Sequence, residues 1–422
     1  MALFLTDIDP RARVKGSRDG LGAQAVWSAA GRPLIGNLTT VTDSLQGFTT
    51  LLVGLRLAEI AASDEPDNTT NAFLIWEQMA AYARHVSGQR GFFGLQRTAA
   101  RAAKAGSDGG KVHLSPQPEH QILSNQRTDG LLGNYTAPAR VSGLVAPGSP
   151  TRLTSEAATF VDNVYLPQLE SGWGRDARNL VRELRRERVA FNLGANAKRE
   201  SVTNIFDRVM SQPEVDFYRY HLVEGGPGDP TKGRQHKLAT LLEARPSDSV
   251  WLSRPYLMTI ADDAESHGWG DVADLVHRVI ACESVLAPAS LLFSYLLGRN
   301  GAHLAQVVTD LRSSWGDRIQ SIDPLAASSL PSQEWLRITE ALAYGDYPQL
   351  IRALAERNAT VMRERGAALA WLEVTDQDQL RVRFRDESAD LPNGDDVPDL
   401  WRYPYFIPSL VSMLRAIRKG EA

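Results

Sequence analysis

Apolar residues in this chain recur at helical spacing far more often than they alternate, and that periodicity limits the fold more than any other feature. From residue 45 to about 62, Phe48, Leu51, Leu52, Leu55 and Ile60 form a stripe three and four residues apart, with Asp43 or Ser44 placed to cap it. NAFLIWEQMAAYARHV sets Phe73, Trp76, Met79, Ala80 and Ala83 along one side, and GLQRTAARAAKAG follows with a basic outer face and stops at Gly106. From Ser155 onward the pattern persists through EAATFVDNVYLPQL and SVTNIFDRVMSQPEVDFYRYHLV, and a long helical region runs from about 237 to 357. In RDARNLVRELRRERVAFNLG, Leu180, Val181, Leu184 and Val189 face inward while the arginines face out, where Glu183 can pair with Arg182 or Arg186. EGGPGDPTKGRQH reads as a flexible break, and WRYPYFIPSLVSMLRAIRKG as a terminal helix that docks on the body.

Alternating stretches are few. Residues 25–28 and 34–40 are candidate strands, as is KVHL at 111–114, and LAWLEVTDQDQLRVRFRDE has two alternating runs around an Asp/Gln turn, a hairpin near 370–386. The expected fold is mainly α with small β elements. It comprises an N-terminal α+β region at 1–70, a second unit at 71–170, and a large helical domain with the late β-hairpin at 171–422.

A length of 422 residues, 43% apolar and 23% charged, suits an ordinary globular protein of more than one domain. The single cysteine, Cys282, excludes an intrachain disulfide and fits a cytoplasmic location. MALFLTDIDPRARVKG lacks the basic and apolar regions of a signal peptide. TTLLVGLRLAEIAA and VLAPASLLFSYLLG read as too short or too interrupted to span a bilayer, so no membrane partner is expected.

The net charge of −4 is unevenly spread. Residues 78–155 hold nine basic side chains (Arg84, Arg90, Arg97, Arg101, Lys104, Lys111, Arg127, Arg140 and Arg152) against Asp108, Glu119 and Asp129. That surplus of six leaves −10 for the rest of the chain. A basic segment in an acidic protein has the charge distribution of a phosphate-binding surface, or of a solvated arginine-rich face.

The end of that segment, VSGLVAPGSPTRLTSEAATF, closes a short helix with Gly-Leu-Val, turns at Pro147, Gly148 and Pro150, returns through 151–153 and enters a helix capped by Thr154 or Ser155. Upstream lie KVHL, a short helix over 121 to about 132, a turn at Gly133-Asn134 and another helix over 136–142. Together, residues 71–160 resemble a winged-helix domain, whose last helix is followed by a hairpin wing. Glu156-Ala157-Ala158 stands where the "LT-x-x-G" ending has glycine, and Gly130 and Gly133 interrupt the recognition-helix region. The resemblance implies contact with DNA or with protein. It would place Arg127, Asn134, Tyr135, Thr136 and Arg140 near bases or phosphates, with Arg152 on the wing, and Arg97 and Arg101 of the basic segment are further candidate nucleic-acid-binding residues. Lys232 and Arg234, in the glycine-rich loop, could add phosphate contacts.

Catalytic motifs are missing from the sequence. No Cys/His pair has zinc spacing, there is no H-E-x-x-H or G-x-S-x-G, and GGPGDPTKGRQHK departs from the phosphate-loop pattern. No metal ligand set, cofactor or catalytic residue is therefore assigned. The expected function is a non-catalytic nucleic-acid-binding or adaptor subunit, acting on DNA with partner proteins. Its layout is similar to accessory proteins of bacterial antiviral defence systems. The alternatives are a nuclease drawing on Asp274, His277 and Glu283, and a structural assembly subunit.

Overall fold

The computed structural model describes residues 19–62, 68–107, 110–245, 252–317, 322, 330, 332–385 and 390–421. It is mainly helical, with two small antiparallel sheets. The chain forms two compact units, each built from discontinuous segments: residues 1–34 with 247–405, and residues 35–246 with 406–422. A division at 70 and 170 coincides with neither.

The first unit opens with α1 (Ala23–Gly31), where a strand was expected over 25–28. Asp19 supplies the reason: its carboxylate accepts from the amides of Ala23 (2.9 Å) and Gln24 (2.8 Å), which nucleates a helical turn. Val26, Trp27 and Ala30 then bury one face. The second candidate strand, 34–40, is turns and irregular chain.

The second unit is organised on α2 (Leu45–Ala61) and α3 (Thr69–Val86). Ser44 caps α2 by accepting from the Gly47 amide, as expected. Both helices are apolar almost all round and correspondingly buried. α4 (Leu95–Ser107), β1 (Lys111–Leu114), α5 (Gln126–Asp129), α6 (Leu131–Val141) and α7 (Ser155–Val164) follow. Next come α8 (Leu166–Trp173) and α9 (Arg178–Leu184). The helix expected to continue to 194 ends there. Val189 and Phe191 are buried while Ala190 and Asn192 are exposed, and this alternation makes β2 (Val189–Asn192), antiparallel to β1 with Lys111 opposite Asn192. α10 (Ala197–Asp207) is followed by α11 (Gln212–Tyr218), which passes into a π-helical turn at Arg219–Val223.

The glycine-rich segment before α12 (Arg234–Ala244) is tied down, contrary to the flexible break expected. Asp229 accepts from the Thr231 amide (2.8 Å) and hydroxyl (2.7 Å) and from the Gly233 amide (2.6 Å).

The first unit resumes with α13 (Arg254–Ser266), α14 (Gly270–Leu297), α15 (Leu304–Trp315), α16 (Gln333–Tyr344) and α17 (Tyr347–Glu364). The expected hairpin is β3 (Leu372–Val374) against β4 (Leu380–Val382). α14 corrects one expectation: it contains VLAPASLLFSYLLG and, at 28 residues, is long and apolar enough to cross a bilayer. Its most apolar window is 78% buried inside the protein. α18 (Ile407–Glu421) completes the second unit, where the Ser409 hydroxyl donates to the Thr39 carbonyl (2.7 Å).

Candidate functional site

The element order α4, β1, α5, α6 and a short hairpin is the order that the winged-helix resemblance requires, but the pairing differs. β1 pairs with β2 and not with a wing strand, α5 has four residues, and the wing is reduced to a single antiparallel bridge, Val145 opposite Leu153. The Ala146 amide donates to the Arg152 carbonyl (2.9 Å) and the Thr154 amide to the Leu144 carbonyl (3.1 Å). Leu144, Val145 and Leu153 are buried and hold the hairpin down, and Glu59 of α2 accepts from the Leu153 amide (3.0 Å). Thr154 caps α7 by accepting from the Ala157 amide (3.3 Å). Winged-helix identity is thus not established by the fold.

The sequence makes the α5–α6 elbow through Gly130 and Gly133. A Cβ at Gly133 would overlap the Thr128 carbonyl oxygen at 1.7 Å, and one at Gly130 would meet the Gln126 oxygen at 2.4 Å and Glu77 Oε1 at 2.8 Å. The helix expected over 121–132 is only the short α5, and the turn expected at Gly133-Asn134 lies inside α6; the break falls at Gly130, and both glycines let α6 start close against α5.

Behind the elbow lies a buried polar network. Glu77 of α3, 3% exposed, accepts from the Leu131 amide (2.8 Å) through Oε1 and from Gln126 Nε2 (2.7 Å) through Oε2. A carboxylate at the first residue of α6 also meets the positive end of that helix. Burial nevertheless pushes the Glu77 carboxyl up to about 7, against the lowering effect of those two donors. Gln126 Oε1 accepts from Gln78 Nε2 (3.1 Å), and Gln78 in turn bonds the Ser115 backbone in both directions. α3 therefore fixes α5, α6 and the end of β1 together.

A second network anchors the hairpin base. Asn37, 1% exposed, donates to Ser142 Oγ (3.0 Å) and the His221 carbonyl (2.9 Å) and accepts from Gln235 Nε2 (2.8 Å). His221 Nδ1 lies 2.7 Å from the Ser142 carbonyl, so that nitrogen carries the proton.

The candidate nucleic-acid residues separate into three groups. Arg127, Arg140 and Arg152 are exposed on α5, α6 and the returning arm of the hairpin, and among the described residues none of them forms an ion pair; Arg140 donates only to the Ala146 carbonyl (3.4 Å). Arg97 and Arg101 are half-buried and brace the 116–124 loop: Arg97 donates to Gln121 and Ser124, and Arg101 to the carbonyls of His120 and Glu119. Asn134 is turned back on the elbow, donating to the Asp129 and Gly130 carbonyls. Tyr135 is 2% exposed, edge-on to Phe48 and Phe93, and Thr136 Oγ1 is buried, so neither reaches a base. Lys232 is exposed and Arg234 half-buried at the start of α12. The arginines of α9 are engaged, Arg182 with Asn179 (2.8 Å) and Arg186, just past its end, with Glu183 (2.9 Å).

The residues of the nuclease reading do not converge. Asp274 and Glu283 are nine residues apart on α14, half a turn out of phase at about 100° per residue. Asp274 is exposed, while Glu283 is buried and accepts from the Tyr405 hydroxyl (2.7 Å) and the Tyr403 amide (3.1 Å). His277 faces Glu265 at 3.8 Å. Among the described residues no three His, Cys, Asp or Glu side chains group as a metal site.

Sequence reasoning missed Glu77 and Gln126. The available signal was α3 itself: a helix apolar all round must pair its rare polar residues inside the protein. No protein-family model, curated protein or solved structure matches this chain.

Proposed function

We propose that the second unit is a non-catalytic DNA-binding element, an adaptor that works in the cytoplasm with partner proteins of a bacterial multi-protein system such as an antiviral defence system. The observation that carries the reading is the set of three exposed arginines without ion pairs, Arg127, Arg140 and Arg152, on a helix–helix–hairpin element pinned from behind by Glu77 and Asn37. Arginines lacking protein counter-charges are available for phosphate oxygens, and a rigid support lowers the ordering cost of engaging them. The exposed face of α6 offers mainly Gly133, Ala137, Arg140 and Val141, few groups able to read base edges, so binding is directed at the backbone and depends little on sequence.

The test is binding of a fluorescent duplex at low salt by the wild type, by the triple variant Arg127→Ala/Arg140→Ala/Arg152→Ala, and by a control, Arg178→Ala/Arg186→Ala/Arg337→Ala, which removes equal charge from arginines paired with Asp176, Glu183 and Glu356. The first variant loses at least tenfold in affinity and the control much less. Equal losses, or no duplex binding by the wild type, would overturn the reading.

A further inference from the structure

One face of α3 carries Glu77, Ala80, Ala81 and Arg84, at i, i+3, i+4 and i+7. Two alanines between two charged residues leave a trough where larger side chains would fill the space. The first turn of α2 borders it on one side, Phe92 and Phe93 on another, and Leu131 and Tyr135 of α6 on a third. The cavity they form is half-open to solvent, with a volume of about 190 Å³ and a mainly apolar lining. A dry cavity of about 150 Å³ accommodates benzene, so this one has room for a single ring and a small substituent.

Arg84 determines what that substituent is. The residue is 4% exposed. Its Nε donates to Gln89 Oε1 (2.9 Å), and its guanidinium lies 5.2 Å from the Phe92 ring centre and 5.4 Å from that of Phe206. Among the described residues no carboxylate pairs with it, and neither terminal nitrogen has a hydrogen-bond acceptor. Asp207 is reached only through Gln89, whose Nε2 donates to it. Burial lowers the Arg84 pKa to about 10, and the charge of Asp207, which makes no ion pair with it, offsets only part of that. Glu77, two turns away, is already held by Gln126 and the Leu131 amide, and Asp43 is exposed where it borders the cavity. A buried guanidinium that lines a cavity and has idle terminal N–H groups is the arrangement that a carboxylate completes, because the two planar groups match in a bidentate pair.

We propose that this cavity binds a small aromatic or cyclic carboxylate. Its ring lies over Ala80 and Ala81 against the aromatic walls, and its carboxylate meets the terminal nitrogens of Arg84. None of the exposed arginines Arg127, Arg140 and Arg152 lines the cavity.

Benzoate is the probe, with benzyl alcohol and benzylamine as neutral and cationic molecules carrying the same ring, titrated into the full chain by calorimetry and by NMR. Benzoate is expected to bind saturably with a dissociation constant on the order of 1 mM or tighter, at least tenfold better than benzyl alcohol, and benzylamine not to bind. Arg84→Met, which keeps the stem but not the charge, removes the preference for benzoate. Ala80→Leu fills the trough and weakens both benzoate and benzyl alcohol. The comparison of the three probes on the wild type needs no variant to fold. Absence of saturable benzoate binding, equal affinity for benzoate and benzyl alcohol, or benzoate affinity unchanged in Arg84→Met overturns the proposal.

Discussion

Replacing Glu77 by Gln removes a titrating group from the anchor beneath α6, and the consequence depends on pH in a calculable way. The carboxyl moves from an ordinary 4.5 to about 7 on folding because it is buried, and the Leu131 amide and Gln126 offset only part of that. Between those two values the folded state holds a proton that the unfolded state has released. Stability from this group is therefore fully present below about 4.5 and lost as pH rises through about 7. At about 1.4 kcal/mol per pKa unit the loss is about 3 kcal/mol. Gln cannot titrate. Its amide also faces the Gln126 donor, which imposes a cost that does not vary with pH. Urea unfolding of both proteins at pH 5 and pH 8, followed by tryptophan fluorescence, separates the two effects. The stability of the variant relative to wild type should improve by about 2.5 kcal/mol from the lower pH to the higher, since a small part of the loss has already occurred at pH 5. A difference that stays constant between the two, or changes in the opposite direction, would refute the assignment of Glu77 as a buried, raised carboxyl.

Other perturbations test the supports separately. A Cβ at Gly54 would meet Trp76 Cδ1 at 2.4 Å and Phe73 Cε2 at 2.8 Å, so Gly54→Ala should force α2 and α3 apart and cost about 1–3 kcal/mol in chemical denaturation; an unchanged midpoint contradicts the packing described. Asn37→Ala leaves Gln235 and the Ser142 hydroxyl short of partners and should cost about 1–3 kcal/mol, with faster amide exchange at 142–145 and 221–223; wild-type exchange there would show that the network does not hold the hairpin base.

Much of the helical content was legible because its causes are local. The stripe from Phe48 to Ile60 and the Ser44 cap place α2 within a residue of where the structure has it, and the alternation around the Asp/Gln turn yields the β3–β4 hairpin. What the sequence hid is non-local. The strand at 189–192 exists because β1 pairs with it across more than seventy residues, and no pattern inside RRERVAFNLG announces that partner. The assembly of each unit from two segments far apart in sequence is likewise invisible to a reading that proceeds along the chain. At the candidate site, the hairpin turn and the Thr154 cap were readable from Pro147, Gly148 and the Leu-Thr-Ser run, whereas a two-stranded wing did not form. The burial of Tyr135 and the bracing roles of Arg97 and Arg101 were not, because positive charge and aromatic character look the same in a sequence whether the side chain faces solvent or the protein interior. Arg84 is the sharpest case: counted as part of a basic surface, it lies almost wholly inside the protein.

The most direct test of the DNA-binding reading is the slope of log affinity for duplex DNA against log salt concentration, measured for the wild type and for Arg127→Ala/Arg140→Ala/Arg152→Ala. Each phosphate neutralised contributes about 0.9 to that slope, so the account predicts a slope shallower by about 2 to 3 in the variant. A slope identical in the two proteins would mean that these arginines do not meet phosphates, and would contradict the account.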